Sequence, residues 1–61
     1  MITFRAVSDT AFRVYYDDGK PILPRDAVLF AYTLADFHKK PLLGIRKVPD
    51  KREVEILLRT D

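Results

Sequence analysis

Residues 25–40 read RDAVLFAYTLADFHKK, and this segment decides the fold because its apolar residues recur with the period of an α-helix. One apolar stripe of that helix comprises Ala27, Phe30, Ala31, Leu34 and Phe37. A second stripe beside it comprises Val28, Tyr32 and Ala35. Together the stripes cover roughly twice the arc of ~100° that a surface helix needs to pack on its own core. We therefore predict a second contact surface on the helix; the alternative is a strongly coiled sheet that covers both stripes within one chain.

The segment before the helix predicts a β-hairpin. Residues 2–7 and 11–16 alternate between apolar and polar side chains, as half-buried strands do. Residues 8–10 are turn formers, and a loop there sets Phe4 opposite Val14 and Arg5 opposite Arg13. This register places the large apolar side chains on one face, which is what fixes strand pairing.

The boundaries of the helix follow from turn residues and prolines. Residues 17–19 form a second turn signal, and residues 21–23 are expected to add a short edge strand, where proline is tolerated. The helix should end near Lys40, because Pro41 disfavours helical geometry in the residue before it.

A second hairpin is predicted after the helix, with strands at 42–48 and 53–60. Its expected pairs are Leu43 with Leu58, Ile45 with Ile56, and Arg46 with Glu55. The chain is thus predicted to be one α+β domain over residues 1–61, a small antiparallel sheet of two hairpins with one helix packed across it, in the order ββ(β)αββ. The expected buried face of the sheet is Phe4, Phe12, Val14, Ile45, Val54, Ile56 and Leu58, packed against Phe30, Leu34 and Phe37.

The composition limits the classes of protein that remain. A chain of 61 residues without cysteine has neither disulfides nor thiolate metal ligands, and one histidine cannot hold zinc alone. Oligomerisation is the remaining common source of stability at this size. The longest apolar run, residues 27–32, is far short of a membrane span, so we expect a cytoplasmic protein with no membrane contact and no cofactor.

Candidates for catalysis are few. Asp17 and Asp18 are neighbours in a turn and should point apart, whereas Arg46 is the expected partner of Glu53 or Glu55. No phosphate-binding loop or nucleophile motif is present. We therefore expect no catalytic residues, no enzyme activity and no small-molecule substrate.

Charged residues in two regions suggest binding. Arg5 and Arg13 face each other and need an anion, either Glu53 or Glu55 from the second hairpin or an external phosphate or acidic partner beside Tyr15. The second group comprises Lys39, Lys40, Arg46, Lys47, Lys51 and Arg52. It is interpreted as a solvated rim, with a phosphate-contacting edge as the alternative. His38 at the end of the helix is interpreted as a capping residue, with partner contact or pH sensing as alternatives.

The function predicted from these patterns is that of a small, non-enzymatic regulatory interaction protein that is homodimeric or bound to a protein partner. Accessory or phage-type modulators of a larger machine are proteins of this kind. The expected interface residues are Val28, Leu29, Tyr32, Ala35 and Lys39. If the second stripe of one chain packs on the same stripe of a second chain across a two-fold axis, both stripes are buried at once. The alternative function is a nucleic-acid-binding regulator that uses Arg5, Arg13, Tyr15 and the basic residues of 38–52.

Overall fold

Two β-hairpins flank one α-helix in the computed structural model, which describes residues 1–60. The elements are β1 (Ile2–Ala6), β2 (Ala11–Tyr16), α1 (Pro24–His38), β3 (Leu42–Lys47) and β4 (Val54–Leu58). The strands form one antiparallel sheet in the order β1-β2-β4-β3, with α1 on one face. The predicted α+β class, with two hairpins and one helix, is confirmed.

The first hairpin has the register that the alternation predicts. Phe4 pairs with Val14 and Arg5 with Arg13. The loop closes with a hydrogen bond of 2.8 Å from the Val7 amide to the Ala11 carbonyl. Burial of one face fixes this pairing, because a slip of one residue would turn every apolar side chain outward.

The predicted edge strand at residues 21–23 is wrong, because these residues form a loop. Pro21 and Pro24 have no amide hydrogen, and the Leu23 amide donates to the Tyr16 hydroxyl at 3.4 Å instead of to a strand. Ile22 still packs against the core, so the loop contributes apolar contact without a ladder.

Tyr16 ties the end of β2 to the start of α1. Leu23 is the N-cap residue and has no capping side chain, but its amide is satisfied by the Tyr16 hydroxyl. That hydroxyl in turn donates to the Asp26 carboxylate in the first helical turn. The hydrogen bond to Asp26, followed by desolvation, raises the pKa of Tyr16 above its ordinary value. A carboxylate at this helix end also suits the helix dipole.

The helix ends at His38, two residues before the predicted end. Lys39 caps it in the left-handed conformation, with φ of 56°, and the Lys40 amide donates to the Ala35 carbonyl at 3.0 Å. Pro41 forbids a longer helix, and the left-handed residue turns the chain back toward β3.

The second hairpin confirms two of three predicted pairs and corrects the third. Ile45 pairs with Ile56 and Arg46 with Glu55, but Leu58 pairs with Leu42 rather than with Leu43. A β-bulge between Leu42 and Gly44 causes the shift. It turns Leu42 toward the core and leaves Leu43 63% exposed.

The buried core lies between α1 and the two central strands. Its members are Phe12, Val14, Ala31, Leu34, Ala35, Ile56 and Leu58. The predicted core position of Phe37 is wrong, because that side chain is 80% exposed. Ala35, expected in the outer stripe, is buried instead. The helix lies over β3 and β4, which rotates its buried face toward Ala35 and away from Phe37.

Candidate protein-interaction surface

The side of α1 that faces away from the sheet carries large apolar side chains. Leu29 and Tyr32 are 62% and 61% exposed, and Val28 is partly exposed. We call Val28, Leu29, Tyr32 and Lys39 the outer helix surface. Apolar side chains that are exposed together on one face of a helix are typical of contact surfaces. Single, scattered apolar residues are ordinary on a protein surface.

A shallow groove of about 810 Å³ runs along this surface between the helix and the start of β3. It is lined by Leu29, Tyr32, Ala35, Lys39 and Leu42, among others. The structure therefore brings four of the five predicted interface residues around one concavity. Val28 instead lines a second groove of about 620 Å³, together with Ile45 and Val54 among others.

Ala35 takes a different part in this surface from the one predicted. Its side chain is buried in the core cluster, so it offers a partner little area. The stripe formed by Val28, Tyr32 and Ala35 is consequently interrupted, with Val28 and Tyr32 opening into separate grooves. The surface that remains is centred on Leu29 and Tyr32.

The opposite face of the sheet carries a row of alternating charges across all four strands. Arg5 Nη2 and Arg13 Nη1 lie 3.5 and 3.9 Å from Glu53 Oε1. This oxygen is buried and has no hydrogen bond within residues 1–60, so its contacts are purely ionic. Arg13 Nε lies 3.5 Å from Glu55 Oε2, and Arg46 Nη2 lies 2.7 Å from Glu55 Oε1. The internal glutamates expected for Arg5 and Arg13 are therefore confirmed.

Glu55 is the best-enclosed member of this charged row. Its side chain is buried beneath Arg13 and Arg46, which both donate hydrogen bonds to it. The hydrogen bond from Arg46 lowers the pKa of Glu55 below its ordinary value, against an opposing effect of desolvation. Arg13 strengthens the same shift. Glu55 is thus held ionised as part of the sheet.

The remaining predicted cationic residues do not form one surface. Lys39 and Lys40 line the groove beside Tyr32. Lys47, Lys51 and Arg52 surround the second groove, where Arg52 also donates to the Gly19 carbonyl at 3.2 Å. Tyr15 lies on the charged face, with the Arg5 guanidinium 5.8 Å from its ring centre.

The carboxylates considered for catalysis all have structural partners. Asp17 binds the terminal amine at 3.0 Å, and Asp18 accepts a hydrogen bond from the Lys20 amide at 3.0 Å. Within residues 1–60, no cluster of three or more histidine and acidic side chains is placed to hold a metal ion. The described helix is also too short and too polar to cross a bilayer.

An aromatic cluster at the β1 side of the molecule joins Phe4, Phe12 and Phe30, which the sequence predicted to pack together, and also includes His38, which was interpreted only as a capping residue. Phe4 lies with its ring centre 5.4 Å from that of Phe30 and 6.2 Å from that of Phe12. His38 stacks on Phe12 at 5.0 Å and meets the exposed Phe37 at 5.2 Å. The spacing of Phe30 and Phe37 predicted that they share a side of the helix, but it could not show how far the sheet extends beneath them.

Comparisons with protein-family models, with curated proteins and with solved structures found no match to this chain. The arrangement of its own side chains is therefore the basis for a functional proposal.

Proposed function

We propose that this chain is a small, non-enzymatic interaction module that binds a larger protein through its outer helix surface. The observation that carries the proposal is the pair of exposed side chains, Leu29 and Tyr32, beside a groove of about 810 Å³. Burial of the exposed part of each would contribute about 1–2 kcal/mol of apolar stabilisation. Tyrosine is also enriched among the residues that dominate binding energy at interfaces.

The chemistry of the groove defines the partner that would fit it. The floor is apolar, and Lys39 and Lys40 stand at one end beside the acidic Asp36. An apolar ridge with an acidic residue near the two lysines would complement this arrangement. We further propose that the module is a cytoplasmic homodimer, since the chain has no cysteine and is short for a self-sufficient domain.

A nucleic-acid-binding regulator has less support. Three of its proposed contacts, Arg5, Arg13 and Arg46, are already within ion-pair distance of glutamates. The lysines divide between two grooves on the other face of the molecule. Phosphate binding would need cations along one path, each free to replace a counterion.

The proposal is tested by comparing three tagged forms in pull-downs from the encoding organism, followed by binding measurements with the purified partner. Tyr32→Asp places a charge in the outer helix surface and should reduce affinity at least tenfold. Leu43→Asp is the matched control, because Leu43 is equally exposed but lies at the bulge of β3. Equal binding by all three forms would show that another surface is used. Salt-sensitive retention of duplex DNA or RNA by the wild type would favour the nucleic-acid alternative.

A further inference from the structure

β1 lies at an edge of the sheet, and its backbone pattern shows which groups it presents there. Within residues 1–60 it pairs with β2 on one side and with no strand on the other. The Val7 amide donates to Ala11 and the Asp17 amide donates to Met1, so the odd-numbered residues of β1 bond to β2. Antiparallel ladders alternate in this way. The even-numbered residues therefore direct their amide and carbonyl groups outward: Ile2, Phe4 and Ala6.

This edge has none of the usual devices that block further pairing. β1 contains no proline or lysine, and its pairing with β2 has no bulge. Its one charged residue, Arg5, lies on the face away from the helix and binds Glu53. An unblocked edge is a template for another strand, because the strand supplies the complementary amide and carbonyl groups.

The helix side of this edge is apolar and incompletely covered. Phe4 is 45% exposed even though it touches Phe12 and Phe30. Phe37 follows Phe30 by seven residues, about two helical turns, so it lies on the same flank of α1. Because α1 sits over β3 and β4, β1 is covered on the helix side by the contact of Phe4 with Phe30 and not by the helix itself.

We propose that a second copy of this chain pairs with β1 in antiparallel orientation, centred on Phe4, to form one continuous sheet. Phe4 then exchanges both backbone hydrogen bonds with Phe4 of the partner subunit, and Ile2 does so with Ala6 of the partner subunit. All three outward residues are satisfied in each copy. The two Phe4 rings meet on the helix side, flanked by Phe37 from each copy, and shield one another from water.

Charge selects this register over its neighbours. A two-fold axis moved to Arg5 would set that residue against Arg5 of the partner subunit at a closely spaced pair, which is repulsive. An axis moved to Thr3 would pair Phe4 with Ile2 of the partner subunit, so the two Phe4 rings would no longer face each other. With the axis at Phe4, Arg5 faces Thr3 of the partner subunit. The strand is thus self-complementary, which is the property of a two-fold interface and favours a second copy over an unrelated strand.

The area involved predicts a reversible dimer. If a phenylalanine ring buries about 200 Å², the exposed parts of Phe4 and Phe37 amount to about 250 Å² in each chain. The two chains together thus bury about 500 Å² of ring surface, and with the strand backbone added the total stays at or below about 1,200 Å², the range of weak and transient interfaces. Tyr32 lies about 140° around the helix from Phe37, so the outer helix surface stays free in each subunit. This inference deepens the homodimer part of the proposed function and does not depend on the partner-binding surface.

The test is light scattering coupled to size exclusion over a range of protein concentrations. Wild type should change from the mass of one chain to that of two. Ala6→Pro removes a backbone amide hydrogen that points outward from β1 and makes no bond to β2. Phe37→Asp replaces an exposed phenyl ring with a charged carboxylate. Both should remain folded by circular dichroism and weaken the dimer at least tenfold. Tyr32→Asp should dimerise as wild type does, which separates this interface from the partner-binding surface.

The register has its own test at position 3. Thr3→Glu places a carboxylate opposite Arg5 of the partner subunit and should tighten the dimer roughly several-fold, whereas Thr3→Arg should weaken it by a similar factor. A wild-type mass of one chain at every concentration would overturn the proposal. So would a dimer that Tyr32→Asp disrupts and Ala6→Pro does not, because the second copy would then occupy the outer helix surface. Equal dimer affinity for Thr3→Glu and Thr3→Arg would overturn the Phe4-centred register.

Discussion

At the scale of single residues, Glu55 couples the stability of the sheet to pH. Its pKa is lowered in the folded protein, chiefly by the hydrogen bond from Arg46, so folding favours its ionised form. That contribution is present above the ordinary pKa of 4.5 and is lost as the pH falls through the lower, folded value. We expect the unfolding midpoint of wild type to decrease as the pH is lowered from about 5 towards 3.

The variant Glu55→Gln isolates this effect. It should be less stable than wild type at pH 7, because Arg13 and Arg46 lose their shared anion. Its unfolding midpoint should also depend less on pH in the acid range. Asp9→Asn is the control, since Asp9 is an exposed acid in the loop between β1 and β2. An acid dependence in Glu55→Gln as steep as that of wild type would contradict the assignment.

The sequence predicted this charged row because it needed only two local registers. Alternation set Arg5 opposite Arg13 and Arg46 opposite Glu55, and both pairs are present. The repulsion between two facing arginines then required an anion nearby. Which glutamate each arginine binds depends on β2 lying beside β4, a long-range pairing that local patterns leave open.

At the scale of elements, the rotation of α1 about its own axis predicts which helix residues stabilise the fold. Leu34 is buried in the core, whereas Phe37 is mostly exposed. Leu34→Ala should therefore lower the free energy of unfolding by about 2–5 kcal/mol, with the spread set by how well the cavity collapses. Phe37→Ala, compared at the lowest workable concentration, should cost about 0.5 kcal/mol or less.

Denaturant unfolding followed by circular dichroism measures the difference between these variants. If Leu34→Ala does not fold while Phe37→Ala unfolds cooperatively, Leu34 is still shown to contribute more to the free energy of unfolding than Phe37. A Phe37→Ala variant as unstable as Leu34→Ala at high dilution would mean that the helix buries the flank predicted from its apolar stripe.

Two features of the elements could not be predicted from the chain alone. Leu42 and Leu43 are identical neighbours, so alternation cannot decide which of them points inward once a bulge is allowed. The helix has apolar residues on both flanks, and either Ala35 or Phe37 completes a plausible buried face with Leu34. The position of the helix over β3 and β4 decides between them, and that position depends on how four strands are ordered.

At the scale of the whole molecule, the strand order places β1 and β3 at the two edges and protects them unequally. β3 carries a bulge and ends in Arg46 and Lys47, features that discourage another strand from pairing. β1 lacks such features and has Phe4 half covered beside it. In the proposed dimer, β1, the less protected edge strand, is therefore paired on both sides. The exposed part of Phe4 is then buried between the two chains.

Coupling between association and folding gives the final prediction. A ligand that binds the folded state raises apparent stability by mass action, and a second copy of the chain acts as such a ligand. The thermal midpoint of wild type should rise as protein concentration increases across the range in which the dimer forms. Ala6→Pro should show a smaller rise over the same range, with a midpoint that stays closer to that of dilute wild type. Differential scanning calorimetry at several concentrations measures both midpoints. If the wild-type midpoint stayed constant while the mass doubled, the dimer would not stabilise the fold. That result would contradict the proposed burial of Phe4 and Phe37 in the interface.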